Sequence, residues 1–231
     1  GRVFLRAPGM PEGPLEVAGI RQPVRLAAAA YGPAVTEQWG TGDRLADFFD
    51  VKGDLEALAA GHALRFERAE HPALHPGRSA RVLLGGTPIG WVGELHPQWQ
   101  QRFELPSPVA LFEVDAAPLQ KLELPRYEAV SKFPPVIRDL SIVVDAHLPV
   151  ASMLADLEEA GIAGVQRVTL FDLYQGVGIP DGKKSLAFRV LFQDTQRTLT
   201  DAEVDLAVQE MRGRLRERFG AQLRGNEGQL Q

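Results

Sequence analysis

Three side chains near one predicted hairpin could together hold an unpaired nucleotide base: Asp172, Tyr174 and Ser185. An aromatic ring offers a stacking surface, and a carboxylate and a hydroxyl hydrogen-bond the polar edge of a splayed base. Their spacing is what gathers them. Phe171-Asp172-Leu173-Tyr174-Gln175-Gly176 precedes Lys183-Lys184-Ser185-Leu186-Ala187-Phe188, and the Pro180-Asp181-Gly182 between them is a turn signal. Leu186, Phe188, Val190 and Phe192 alternate with Ser185, Ala187, Arg189 and Leu191, the period of a half-buried strand. In the strand before, Phe171 and Leu173 share one face and leave Asp172 and Tyr174 on the other. Burying the apolar faces together brings Asp172, Tyr174 and Ser185 out on one open face. An ordinary strand aromatic beside a turn carboxylate meets the same pattern, so the residues alone leave both readings open.

The elements that must position these residues follow in a regular order. Val136 to Val144 predicts a strand with Leu140, Ile142 and Val144 on one face and Asp139 and Ser141 on the other. A helix follows over Val150 to Ala160, striped by Val150, Met153, Leu154 and Leu157. Strands are expected at 165–175 and 185–193. Thr200-Asp201-Ala202-Glu203 opens a last helix with a capping box, and its stripe is Val204, Val208, Met211, Leu215 and Phe219. A short strand, Ala221 to Arg224, closes a β-α-β-β-α-β order with both helices on one sheet face. Upstream, Gly9 to Pro14 is a loop and Val24 to Tyr31 is expected as a buried strand. Val51 to Ala60 predicts a helix with Asp50 as N-cap and Gly61 as its stop. Ser79–Leu84 and Pro88–Leu95 form a hairpin through Gly85-Gly86-Thr87, and Val109–Val114 is a further strand. The pattern weakens between Pro118 and Ser131, which divides an α+β chain into domains of residues 1–128 and 129–231.

Composition bounds the function. The chain has 231 residues, 45% of them hydrophobic and 24% charged, enough for two ordinary cores. No apolar run approaches the roughly 18 residues of a membrane span, and no segment reads as a signal peptide. With zero cysteines, disulfides, thiolate metal sites and a Cys nucleophile are excluded, and a cytoplasmic location fits. The net charge is −5, and residues 131–231 hold 12 Lys+Arg against 14 Asp+Glu. A protein that tracked phosphates would be basic, so any RNA contact must be small and local or assisted by a larger assembly.

Other polar groups have blander readings. Lys183 and Lys184 flank the hairpin as candidate phosphate contacts or as solvated charges. Lys132 and Arg138 frame the stiff Phe133-Pro134-Pro135 entry, and Arg138-Asp139 is expected as a structural ion pair. Arg212, Arg214, Arg216 and Arg218 are expected as a solvated face matched to the helix dipole. His62, His71, His75 and His96, with Glu67, Glu70 and Glu94, lack the close helical spacing of a metal hydrolase, and the histidines beside prolines suit turns. Asp47, Asp50, Asp54 and Glu56 together suggest a cation, but Asp50 and Asp54 fit a helix start equally well. There is no Gly-rich phosphate loop followed by Lys-Ser/Thr and no Ser-His-Asp signature. No catalytic residue and no metal ligand is expected.

The words Lys132-Phe133-Pro134-Pro135-Val136-Ile137-Arg138-Asp139-Leu140, Phe171-Asp172-Leu173-Tyr174, Lys184-Ser185-Leu186-Ala187, Arg197-Thr198-Leu199-Thr200 and Leu223-Arg224 occur in that order. Together they resemble the ferredoxin-fold anticodon-binding domain that closes the beta subunit of bacterial phenylalanyl-tRNA synthetases. Upstream, Val17-Ala18-Gly19, Trp39, Asp47 to Glu56, Leu74 to Ala80 and Ile89 to Pro97 resemble the part of that subunit before it. The resemblance implies that Asp172, Tyr174, Ser185 and Arg224 hold the anticodon of tRNA-Phe. It implies a class II synthetase-like antiparallel sheet domain without an active site over residues 1–128, a ferredoxin-like domain over 129–231, and a start inside a longer subunit that leaves part of the first sheet behind. It further implies an alpha subunit that carries out aminoacylation with ATP and magnesium, in an alpha2-beta2 heterotetramer. The rival readings from the β-α-β-β-α-β order are a small-molecule-binding regulatory module and a purely structural assembly domain.

Overall fold

A computed structural model describes residues 1–13, 17–121 and 130–223. The chain divides into two compact units, residues 1–126 and 127–231. The expected boundary between 128 and 129 lies outside the described residues.

In the first unit, β1 (Leu5–Arg6) and β2 (Ile20–Arg21) make a small antiparallel ladder. The main sheet is antiparallel, in the order β3 (Arg25–Tyr31), β7 (Val109–Asp115), β6 (Thr87–Leu95), β5 (Leu74–Leu84), β4 (Leu64–Arg68). Gly85 and Gly86 both adopt positive φ between β5 and β6, the backbone a two-residue hairpin needs. Helix α1 (Phe48–Leu58) packs Val51 and Leu55 against Val82, Val92, Phe112 and Val114. The short helices α2 (Pro97–Arg102) and α3 (Ala116–Leu119) flank β7 in sequence.

Two expectations are corrected here. Strand β3 is mostly exposed rather than buried. It is an edge strand, its inner positions are Leu26 and the small Ala28 and Ala30, and α1 lies over β6 and β7 instead. The cap of α1 is Asp47, not Asp50. Phe49 N (2.8 Å) and Asp50 N (3.3 Å) donate to Asp47 Oδ1, and Asp50 at the third helical position takes the Asp47 amide at 2.9 Å.

The second unit is a four-stranded antiparallel sheet in the order β11 (Gln222–Leu223), β8 (Val136–Asp145), β10 (Lys183–Phe192), β9 (Val165–Tyr174). Helices α4 (Val150–Glu159) and α5 (Asp201–Phe219) cover one face. Leu140, Ile142, Val144, Leu186, Phe188, Val190 and Phe192 meet Met153, Leu157, Val204, Met211 and Leu215 in that core. This is the α+β, split βαβ arrangement that the sequence order predicts. Helix α5 begins in the expected capping box, with Thr200 N donating to Glu203 Oε2 at 2.9 Å and Glu203 N to Thr200 Oγ1 at 3.4 Å. Arg197 adds a hydrogen bond to Glu203 Oε2 at 2.8 Å, and these bonds hold the Glu203 carboxyl far below its usual range. The helix ends at left-handed Gly220.

The ion pairs differ from expectation. Neighbours in a strand point to opposite faces, so Arg138 cannot meet Asp139; it reaches Asp201 at 2.9 Å, and Asp139 pairs with Arg189. Arg214 leaves the expected solvated face, donating two hydrogen bonds of 2.6 and 3.0 Å to the buried Asp156 of α4, and Arg218 reaches the same carboxylate while staying exposed. The Asp156 carboxyl is thereby kept below its ordinary range, the Arg214 hydrogen bonds contributing most. Arg212 and Arg216 remain exposed.

Two outcomes are expected from this fold. A Cβ at Gly90 would lie 2.1 Å from the Glu113 carbonyl oxygen and 2.6 Å from Val114 Cα, whereas at Gly213 it would meet nothing. Gly90→Ala should therefore cost about 2–3 kcal/mol, and Gly213→Ala should add about 0.5–1 kcal/mol, both read by denaturant unfolding. The second outcome concerns Asp50, whose carboxyl is held down at about 2, first by the Arg44 side chain and next by the Asp47 amide. A depressed carboxylate stabilises the fold fully above its unfolded value near 3.9 and loses that contribution as pH falls through the folded value. The stability gap between the native chain and Asp50→Asn should stay constant above about pH 4 and close toward pH 2; a gap unchanged at pH 2 contradicts the assignment.

Candidate functional site: the open face of the second sheet

Cross-strand partners share a face, so register decides what the uncovered side presents. Ser185 pairs with Tyr174 on one side and Val143 on the other, and Ala187 pairs with Asp172 and Ser141. Asp172, Tyr174 and Ser185 thus occupy one face, opposite the core residues Leu186 and Phe188. Asp172 is exposed, and Tyr174 is 39% exposed. Ser185 is 5% exposed, so it lies at the floor of this surface rather than emerging from it. The Tyr174 hydroxyl donates to the Val177 carbonyl at 3.2 Å, which fixes the ring at the mouth of the β9–β10 loop. Gly176 makes room for it, since a Cβ there would sit 3.0 Å from the phenol oxygen. The turn that closes this loop is the expected one, with Lys183 N donating to the Pro180 carbonyl at 3.0 Å beside left-handed Gly182.

The two lysines separate. Lys183 stands on the open side of the alternation with Ser185. Lys184 falls on the helix side, is buried, and donates through Nζ to the Leu148 carbonyl at 2.5 Å. Burial pushes its ammonium below the ordinary lysine range, with Asp145 acting in the opposite direction. A phosphate contact by Lys184 is therefore corrected. Arg224 lies outside the described residues.

Sequence reasoning missed a further group on this face. Phe171 was expected to share the buried face with Leu173, yet the two are 50% and 49% exposed. The register shifts between Ala187 and Phe188, where Asp172 and Leu170 are the successive partners and Phe171 is left over. That extra residue is a β-bulge, which re-aims a side chain. Phe171 lies under the Arg189 guanidinium, 4.9 Å from ring centroid to Cζ. Arg189 donates through Nε and Nη2 to the two Asp139 oxygens, each at 2.9 Å. Those bonds hold the Asp139 carboxyl below its usual range and raise the Arg189 guanidinium. Leu173 remains on the helix side, past the reach of the core.

In the first unit the histidines serve the backbone. His71 Nδ1 accepts from Ala73 N, His75 Nδ1 from Gly77 N, and His96 Nδ1 from Gln98 N as the cap of α2. Buried Glu94 pairs with Arg78 at 2.7 Å. No group of three metal-ligating side chains occurs among the described residues. No helix among them is long and apolar enough to cross a membrane.

The second unit is thus a split βαβ sheet with polar and aromatic groups on the face its helices leave uncovered. Residues 131–224 match the ferredoxin-fold anticodon binding domain, and residues 1–116 match the phenylalanyl tRNA synthetase beta chain CLM domain. The chain belongs to the family of phenylalanyl-tRNA synthetase beta chains. It is 50% identical to the phenylalanine–tRNA ligase beta subunit of Dechloromonas aromatica over 97% of this chain and 28% of that protein. The corresponding subunits of Burkholderia pseudomallei and Ralstonia nicotianae are 48% and 45% identical over 97% of this chain and 29% of theirs. The chain therefore spans less than a third of the length of the relatives it matches.

Proposed function

We propose that this chain is the tRNA-binding and assembly portion of a phenylalanine–tRNA ligase beta subunit, and that the open face of its second unit holds the anticodon of tRNA-Phe. One observation carries the reading. Asp172, Tyr174 and Ser185 share the uncovered face, with Tyr174 paired directly to Ser185, inside the segment that matches an anticodon-binding domain. Tyr174 stacks on a splayed base, Asp172 accepts hydrogen bonds from its polar edge, and Ser185 bonds a group that descends to the sheet. Lys183 faces the backbone phosphates. Arg224, where the domain match ends, supplies a cation or a second stacking plane. The first unit is a catalytic-like but inactive domain that helps dock the alpha subunit. Aminoacylation with ATP and magnesium is carried out by that subunit, in an alpha2-beta2 assembly in the cytoplasm. The slightly acidic charge fits a small, local RNA contact that the rest of the synthetase supplements.

The test is a titration with tRNA-Phe and an unrelated tRNA at two salt concentrations. Binding should prefer tRNA-Phe and weaken about tenfold in Tyr174→Ala, the lower end of base-stacking losses. Binding that Tyr174→Ala leaves unchanged, or none at low salt and high protein, favours the assembly-domain reading. The two lysines should also part in this assay. Lys183→Ala should lower the salt slope by about one, while Lys184→Met should leave both affinity and slope as they are.

A further inference from the structure

The geometry points to a second stacking station on the same face, in which Arg189 and Phe171 form a platform for another unpaired base. The inference rests on the anticodon reading of the face and extends it to two residues that the resemblance did not assign to the anticodon.

Three features of the pair suit a base. The guanidinium is planar, and its two hydrogen bonds to Asp139 fix that plane, so little side-chain freedom remains to be lost on binding. One side of the plane lies on the Phe171 ring, while the Arg189 side chain stays 53% exposed. Asp139 offsets the positive charge, which favours the flat, weakly charged face of a base over a phosphate. The bulge supplies an independent argument. Regular alternation would have turned Phe171 toward the helix-covered side; the extra residue turns it to the open face instead, against the ordinary preference of a phenyl ring for burial.

The position is also apt. Arg189 lies four residues along β10 from Ser185, about 13 Å at the usual rise of a strand. Tyr174 and Ser185 mark one end of the face, Arg189 and Phe171 the other, and Asp172 lies between them. The paired strands β9 and β10 therefore present a stacking group at each of these two places, with the Asp172 carboxylate of β9 between them. A short run of unpaired nucleotides laid along the strand would meet an aromatic or guanidinium plane at both ends.

The experiment uses the full chain and an anticodon stem-loop of tRNA-Phe carrying 2-aminopurine at one loop position at a time. Arg189→Lys keeps the charge and removes the plane; Phe171→Leu keeps apolar bulk and removes the ring. Each should weaken binding about tenfold without changing the salt slope, and each should restore fluorescence at one loop position distinct from the one that Tyr174→Ala restores. If both variants bind and quench as the native chain does while Tyr174→Ala loses affinity, the second station is overturned and the anticodon reading stands. A lowered salt slope in Arg189→Lys, with quenching intact, would make Arg189 a phosphate contact and likewise overturn it. Indifference to all three substitutions overturns the station and the anticodon reading together. Thermal unfolding of each variant, expected to match the native chain for these half-exposed side chains, separates a lost platform from a lost fold.

Discussion

The helices of the second unit cover only one face of its sheet, and that asymmetry fixes the chemistry of the other. Leu186, Phe188, Val190 and Phe192 are fully buried on β10, so slipping the strand by one residue would expose all four. Burying four large apolar side chains contributes roughly 6–12 kcal/mol relative to leaving them in water, far more than any surface contact could return. Ser185, Ala187 and Arg189 are thereby forced outward, and the pairing of β9 with β10 places Tyr174 and Asp172 beside them. The candidate site is thus held by the core beneath it, not by contacts among its own residues.

The same asymmetry explains why a slightly acidic domain can still be a credible RNA surface. Among the described residues, five arginines of the second unit are engaged by its own carboxylates. Asp156 engages Arg214 and Arg218, Glu203 engages Arg197, Asp139 engages Arg189, and Asp201 engages Arg138. What the open face offers is planes and hydrogen-bonding groups rather than a positive field. Recognition by stacking tolerates neutrality in a way that phosphate tracking does not.

Much of this was legible in the sequence because strong, redundant signals agree. The alternation in β8 and β10, the glycine pair of the β5–β6 hairpin and the Thr200–Glu203 box each specify one local answer. Most of the misses share a cause, which is that their signal lies in pairing and packing rather than in the chain itself; Lys184 is the exception. The bulge at Phe171 leaves Phe-Asp-Leu-Tyr looking regular, because an extra residue is visible only against the partner strand. Asp47 and Asp50 are both good caps in isolation, and Arg44, which pairs with Asp50, lies six residues upstream. Strand β3 is alanine-rich and apolar, yet its place at the sheet edge leaves it uncovered. Lys184 looks like a solvated hairpin charge until the alternation that buries Leu186 turns it the same way.

The most direct test of the open-face account is photocrosslinking from 4-thiouridine placed in the anticodon loop of tRNA-Phe, with adducts mapped by mass spectrometry. The account predicts adducts on β9 and β10, at Tyr174 and at Phe171 or Arg189. Adducts confined to the exposed arginines of α5, Arg212, Arg216 and Arg218, would put the RNA on the helix side and contradict it.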